Sequence, residues 1–218
     1  MAMMSAIGQI ELVFLFLLVF IVAFALLSRK IGIPYPIVMV LGGLGFKVAA
    51  APFHFWAPDV YQGAPTPVAA FLSAGPKAAA FAVFLRIFMT AFEPIGAGWE
   101  PLVWMSALLS MTIGNFAALQ QQNIKRMLAY SSIAHAGYVL VALTARSEIG
   151  VAAAMFYLAA YAFMNIGAFA VVSHLSGRGE RYLNLEDFKG LGQKQPLTRS
   201  LFTLGVLADT LRQLLNQS

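Results

Sequence analysis

Long apolar stretches separated by short polar ones set the pattern of this chain. A helix needs about 20 apolar residues to cross roughly 30 Å of hydrocarbon. Six stretches meet that length: about Ile10 to Ser28, Ile31 to Trp56, Thr66 to Phe92, Trp99 to Leu119, Met127 to Ala145, and Ile149 to Leu175. The first is longer than the apolar region of a signal peptide, and no small-residue cleavage site follows it directly, so it reads as a span. A polar stretch, 176–196, comes after the sixth. The last apolar run, Leu197 to Ala208, contains Arg199 and is too short to cross. The pattern predicts an all-α protein, a polytopic membrane helix bundle of six transmembrane helices without a sheet.

Prolines interrupt the second run. Pro52 removes a backbone donor five residues after Lys47, and Pro58, Gly63, Pro65 and Pro67 follow. The helix break is therefore expected at Pro52, Pro58, Pro65 and Pro67. Broken helices at membrane depth are tolerated where protein or water satisfies the freed groups, and they often mark ion paths. Pro76 loosens the third run in the same way, and there a simple packing kink reads equally well.

Composition closes other possibilities. The chain of 218 residues is 60% hydrophobic and 11% charged, against roughly 45–50% and about 25% in an average soluble domain. Mean hydropathy is +0.78. This excludes a water-soluble enzyme. There is no cysteine, which excludes disulfides, thiolate metal sites and cysteine-ligated iron–sulfur clusters. The net charge of +5 comes from basic residues that mostly flank apolar runs, so nucleic acid is not an expected partner. The loops at 57–65, 120–126 and 176–199 carry Lys125, Arg126, Arg178, Arg181, Lys189, Lys194 and Arg199. The opposite loops carry Arg29, Lys30 and Arg146. The positive-inside tendency places the first set in the cytoplasm, although the Arg29-Lys30 end of the first span fits that assignment poorly.

Two lysines fall inside apolar runs, Lys47 and Lys77. An ionisable group at membrane depth is costly and is a functional hypothesis by default. Lys47 lies about ten residues before the 57–66 turn and Lys77 about ten after it, so both are expected roughly 15 Å deep on adjacent antiparallel helices, facing each other. Two ammonium groups at one depth repel, and low dielectric favours their neutral forms. Such a pair passes protons where an exposed lysine does not. The competing reading is a lysine that snorkels to the interface. His135 shares a helix face with Ser131 and Tyr138, and Tyr157, Tyr161 and Asn165 form a second stripe. Both stripes suit a hydrated path or interhelical hydrogen bonds. For His135 the two readings stand level, and for the Tyr157 stripe the structural one is preferred. No acidic residue lies mid-span, no metal-ligand cluster or nucleotide-binding glycine motif occurs, and no cofactor-binding, metal or catalytic group is assigned.

The stretch Gly45-Phe46-Lys47-Val48-Ala49-Ala50-Ala51-Pro52-Phe53-His54-Phe55-Trp56-Ala57-Pro58-Asp59-Val60-Tyr61-Gln62-Gly63-Ala64-Pro65-Thr66-Pro67 closely resembles subunit N of the proton-pumping NADH–quinone oxidoreductase of bacteria, respiratory complex I. The likeness continues through Lys77, through Asn123 to Tyr138, and through Asn184-Leu185-Glu186-Asp187-Phe188-Lys189-Gly190-Leu191. It covers about residues 42–207. The resemblance implies a partial antiporter-like fold with one broken helix, the second run. Lys47 would be its central proton-carrying lysine and Lys77 a relay; His135 stands beside them as a candidate path residue from its helix face alone. It implies a multi-pass protein of the inner (plasma) membrane of a bacterium, with the lipid bilayer, protons and other complex I membrane subunits as partners. This chain would do no redox chemistry itself: NADH, FMN, iron–sulfur clusters and quinone would belong to partner subunits.

Both ends depart from that family. Its members are about twice as long, and one of their earlier spans carries a glutamate that pairs with the position of Lys47. Residues 1–41 look more like the start of a monovalent cation/proton antiporter, and residues 208–218 match no known pattern in that position. The expected domains are thus 1–41, 42–207 and an unrelated tail, 208–218, in a spliced or truncated chain. The alternatives to a complex I proton-translocating subunit are a secondary cation/proton antiporter and a non-transporting structural membrane fragment.

Overall fold

The structure is a computed structural model that describes residues 34–177 and 179–188, together with Val22 and Leu26. Among residues 34–188 six α-helices are described: α1 (Tyr35–Val48), α2 (Ala57–Gly63), α3 (Thr66–Arg86), α4 (Gly96–Leu119), α5 (Ile124–Thr144) and α6 (Glu148–Leu175). A π-helical turn, Ile87–Ala91, extends α3, and 3₁₀ turns occupy Glu93–Ile95 and Leu185–Phe188. The described residues form no strand; Asn123 and Asn184 make one isolated antiparallel bridge. The described residues are all-α, as the apolar pattern predicts.

Local chemistry sets the helix starts. A proline in the first turn opens each of α1, α2 and α3, where its missing N–H costs nothing and its fixed φ suits the helix. The Asn123 side chain accepts from the N–H groups of Lys125 and Arg126 to cap α5. The Ser147 hydroxyl accepts from Gly150 N–H to cap α6.

Among the described residues, four helical segments are long and apolar enough to cross a membrane: Thr66–Ala91, Glu93–Leu119, Ile124–Thr144 and Glu148–Leu175. These are the last four predicted spans. The first predicted span apart from Val22 and Leu26, the charges Arg29, Lys30, Arg178, Lys189, Lys194 and Arg199, the run 197–208 and the tail 208–218 lie outside the described residues.

The second span differs in its detail from the sequence expectation. Its helix stops at Val48, three residues before Ala51–Pro52, whose peptide bond is cis. Ala49 adopts a left-handed conformation, φ 56°, and the freed N–H groups of Ala49 and Ala50 turn back to the carbonyls of Phe46 and Gly45. Phe53 folds back along α1, and a Cβ on Gly45 would lie 2.9 Å from its ring, so only glycine leaves room there. Pro58 opens α2 rather than ending a helix, Pro65 precedes α3, and Pro67 lies in its first turn. The break is thus the 49–56 segment, with α1 and α2 as the two half-helices.

α5 is the most buried of the four long spans. It packs against α4 above all, and also against α2, α3 and α6, while α3 lies along α6 and beside α1. The α4–α5 seam is close: a Cβ on Gly137 would lie 2.8 Å from the Ala107 carbonyl oxygen. Small residues at such seams let membrane helices pack backbone to backbone. Two apolar clusters fill the interior. One centres on Leu41, Phe81, Phe84, Phe88, Trp99 and Leu143, and the other on Tyr61, Ala69, Ile124, Leu128, Phe169 and Phe188. The loop after α6 meets the loop before α5 through Ile124 N–H to Leu183 O and Leu185 N–H to Gln122 O, both 2.8 Å. This brings the 57–66, 120–126 and 176–188 segments to one end of the bundle.

Candidate functional site

Lys77 lies eleven residues into α3, one position after Pro76, and is 3% exposed. Its ammonium group points at α5. Nζ donates to the Ser132 carbonyl oxygen at 2.8 Å and to the Ser132 hydroxyl oxygen. It also lies 5.8 Å from the centre of the Tyr161 ring, contributed by α6. An ammonium over an aromatic face is attracted by the ring's negative surface. The helices α5 and α6 thus close over the lysine, and its direct partners there are neutral.

His135 sits three residues beyond Ser132 on α5 and is buried. Its Nδ1 is 2.5 Å from the Tyr157 hydroxyl, and its ring lies 5.0 Å from Tyr161 and 5.6 Å from Tyr138, centre to centre. Asn165 Nδ2 donates to the Tyr161 hydroxyl at 3.0 Å. Tyr161 therefore stands between Lys77 and His135 and touches both. Tyr157 and Tyr138, both half-buried, continue the polar chain from His135 towards Asn115, whose Nδ2 is 3.4 Å from the Tyr138 hydroxyl.

Lys47 does not join this cluster. It occupies the last turn of α1 and is exposed. Among the described residues no hydrogen bond, ion pair or ring contact links it to Lys77 or His135. The structure thus brings together two of the three predicted path residues, and the lysines do not share one enclosed site.

The break is braced from α4. The Ser110 hydroxyl accepts from Ala51 N–H at 2.8 Å, and the Ser106 hydroxyl donates to the Ala51 carbonyl oxygen at 2.5 Å. The Trp56 indole N–H donates to the Phe46 carbonyl oxygen at 2.9 Å. Backbone groups that leave a helix inside a low-dielectric bundle need such partners.

Sequence reasoning missed several of these groups. It placed Ser131 on the His135 face, whereas Ser132, the next residue round, receives Lys77. It gave no role to Ser106 or Ser110. It counted Lys125 and Arg126 only as loop charges, yet Lys125 is 1% exposed. The Lys125 ammonium donates to the Ala64 carbonyl oxygen and to Glu180, at 2.8 and 2.7 Å. Glu180 in turn accepts from Thr66 N–H at 2.5 Å. Partial burial raises the pKa of the Glu180 carboxyl, but the bond from Lys125, the bond from Thr66 and the lysine charge outweigh it and hold the group below its ordinary 4.5. Arg126 is paired more openly, with Asp59 at 2.5 Å and Gln62 at 3.0 Å. No group of three or more His, Asp or Glu that could hold a metal occurs among the described residues.

The sequence matches the family described as "NADH:quinone oxidoreductase/Mrp antiporter, TM" over residues 1–210. It is 77% identical over 166 residues to NADH-quinone oxidoreductase subunit N 1 of Solibacter usitatus, covering 76% of this chain and 34% of that protein. Among solved structures it resembles a chain of respiratory complex I from Thermus thermophilus with bound aureothin, with TM-score 0.63 and 46% identity, over 76% of this chain and 36% of that one. It also shares its fold with a chain of the Mrp complex from Dietzia, with TM-score 0.69 and 22% identity, over 76% of this chain and 30% of that one. The chain spans about a third of the length of the curated relatives it matches.

Proposed function

Because the chain belongs to the NADH:quinone oxidoreductase/Mrp antiporter transmembrane family, we propose that it serves as a proton-conducting membrane part of a bacterial NADH–quinone oxidoreductase, in the plasma membrane. Its protons move over Lys77, Ser132 and His135, and Lys47 on the broken helix exchanges protons with a neighbouring membrane subunit. The observation that carries this reading is the enclosure of Lys77. An ammonium at membrane depth, 3% exposed, donates to a hydroxyl that owns an exchangeable proton, and a tyrosine lies between it and a histidine. A buried ammonium needs acceptors whatever its role; what favours conduction is that one acceptor is a hydroxyl with its own exchangeable proton, and that Tyr161 lies against both Lys77 and His135. Lys77 Nζ gives a proton to Ser132 Oγ as that hydroxyl passes its own to a water molecule, which hands it on towards His135. His135 exchanges protons through Nδ1 with Tyr157, which opens to the bundle surface. NADH, flavin, iron–sulfur clusters and quinone belong, on this reading, to partner subunits, which supply the energy.

A second reading keeps the path and changes the cargo. The family takes its name from Mrp antiporters as well, and a cation/proton antiporter needs the same titratable lysine. Two measurements separate the readings. Co-purification with flavin- and iron–sulfur-bearing subunits supports the first. A sodium-dependent pH change in vesicles holding the chain, without such subunits, supports the second. Absence of both leaves a structural fragment and sinks the proposal. Within the first reading, residues 42–207 grafted into the matching span of a full-length subunit should stop pumping when Lys47→Arg is introduced, because a guanidinium keeps its proton to above about pH 12. Full pumping by that variant contradicts the carrier role of Lys47.

A further inference from the structure

The corner between α2 and α3 is held by one buried cation and one anion, and each does two things. Lys125, the second residue of α5, donates to Glu180 and also to the carbonyl oxygen of Ala64, the residue that ends α2. Glu180, from the loop after α6, accepts from Lys125 and also from the N–H of Thr66, the first residue of α3. Pro65, which precedes α3, offers no side-chain cap, so Glu180 caps that helix from 114 residues away. The signs suit the helix ends: a cation at a C-terminus and an anion at an N-terminus. Glu180 reaches its place at a cost in backbone conformation. Its φ is 51°, in the left-handed region that non-glycine residues avoid, and Gly177 and Gly179 beside it are also left-handed, at 69° and 81°.

The same two helices meet again further in. α5 carries Lys125 and, seven residues on, Ser132, while α3 carries Thr66 and, eleven residues on, Lys77. At 1.5 Å per residue the two tie points lie about 10 Å apart on α5 and about 16 Å apart on α3. Both helices leave the corner in the same direction, so a shift at the corner moves Lys77 along Ser132.

We propose that Lys125 and Glu180 are positioning residues: their ion pair closes the ends of α2 and α3 together and so sets the height of Lys77 against Ser132. The consequence for proton transfer rests on the proposed function; the placement itself does not. What the pair does is not interchangeable between its members. A carboxylate cannot donate to the Ala64 carbonyl, and an ammonium cannot accept from Thr66 N–H. Exchanging the two charges therefore keeps the attraction and loses both caps.

The test uses the full chain in lipid nanodiscs, with two readouts: hydrogen exchange at the Thr66 amide, and the ¹⁵N resonance of the Lys77 ammonium. The Trp99 indole signal, at the other end of the bundle, reports that the fold persists. Glu180→Ala should speed Thr66 exchange about tenfold or more, the usual worth of a charge-assisted bond, and should move the Lys77 resonance. Lys125→Met should move that resonance too. Glu180→Gln, which keeps an acceptor oxygen, should fall between wild type and Glu180→Ala, and it serves if the alanine variant loses the Trp99 signal. The exchanged pair Lys125→Glu with Glu180→Lys should restore neither readout. An unmoved Lys77 resonance in Glu180→Ala, or in Glu180→Gln where the alanine variant unfolds, reduces the pair to a local clamp and overturns the proposal. So does full recovery in the exchanged pair. Neither readout depends on pumping, so a failure of the proton-path reading leaves this result to stand or fall alone.

Discussion

Lys47 and Lys77 are the same residue in the same kind of apolar helix, at similar distances in sequence from the 57–66 corner. Their surroundings are nevertheless opposite. Lys77 is closed in by α5 and α6, hydrogen-bonded to Ser132 and set over Tyr161. Lys47 ends a helix that packs beside α3 but leaves the lysine exposed. Distance from a turn sets how far along a helix a residue lies. Which neighbour covers it is decided by packing between segments far apart in sequence. A lysine pair read from spacing alone is therefore a statement about depth and not about enclosure.

The sharpest way to break this contrast is to enlarge both lysines. Lys77→Arg forces a wider, planar group into a closed site and should destabilise the chain by about 1–3 kcal/mol. Lys47→Arg should stay within about 0.5 kcal/mol, as exposed substitutions do. Unfolding of the full chain in mixed micelles, followed by far-UV circular dichroism, checks both. Equal losses would mean that α1 is as enclosed as α3.

The broken helix should respond to its brace more than to its lysine. Ser110→Ala leaves the buried Ala51 N–H without its acceptor and should cost about 1–2 kcal/mol. Thr112→Ala, on an exposed turn of the same helix where the hydroxyl bonds only to Leu108 O, should cost less than about 0.5 kcal/mol. The same unfolding assay ranks them, and a silent Ser110→Ala would remove the serine from the account of the break.

The smallest effect is a pH dependence at the corner that both half-helices share. The Glu180 carboxyl is held below its ordinary pKa in the folded chain. Its contribution to stability is therefore fully present above the ordinary carboxylate value and is lost as pH falls through the lower folded value. Taken from neutrality to below about pH 4, the wild-type chain should lose more stability than Glu180→Gln. The difference should be modest, because Glu180 is 30% exposed and water screens the pair. Parallel pH profiles for the two chains would show that the carboxyl carries no such contribution.

Much of the fold was legible before any coordinates. The last four spans were readable because each is a long apolar run bounded by polar or turn residues, and the start of α5 was sharpened by Asn123 as its cap. The break was readable only in part. Proline marks where a helix cannot continue, but α1 ends earlier, at Val48, with Phe53 folded back against Gly45, and nothing in local sequence announces that contact. The polar cluster around Lys77 and His135 was half readable. His135 and Lys77 stand out as polar residues in apolar runs. The choice of Ser132 over Ser131 depends on how α5 is rotated against α3, about 100° per residue, which periodicity alone leaves open. Glu180 and Ser110 act on backbone groups 114 and 59 residues away, a distance at which sequence pattern carries no signal.

The central claim is that Lys77 carries the protons, and one measurement addresses it most directly. In sealed vesicles, with residues 42–207 placed in a full-length subunit of an assembled complex, proton uptake is read per NADH oxidised for wild type and Lys77→Gln. Glutamine keeps a donor for the Ser132 oxygen and roughly the length of the side chain, but it has no proton to exchange. The account predicts that NADH oxidation continues while the protons taken up per NADH fall well below wild type. An unchanged ratio would contradict it and leave Lys77 as a buried packing residue.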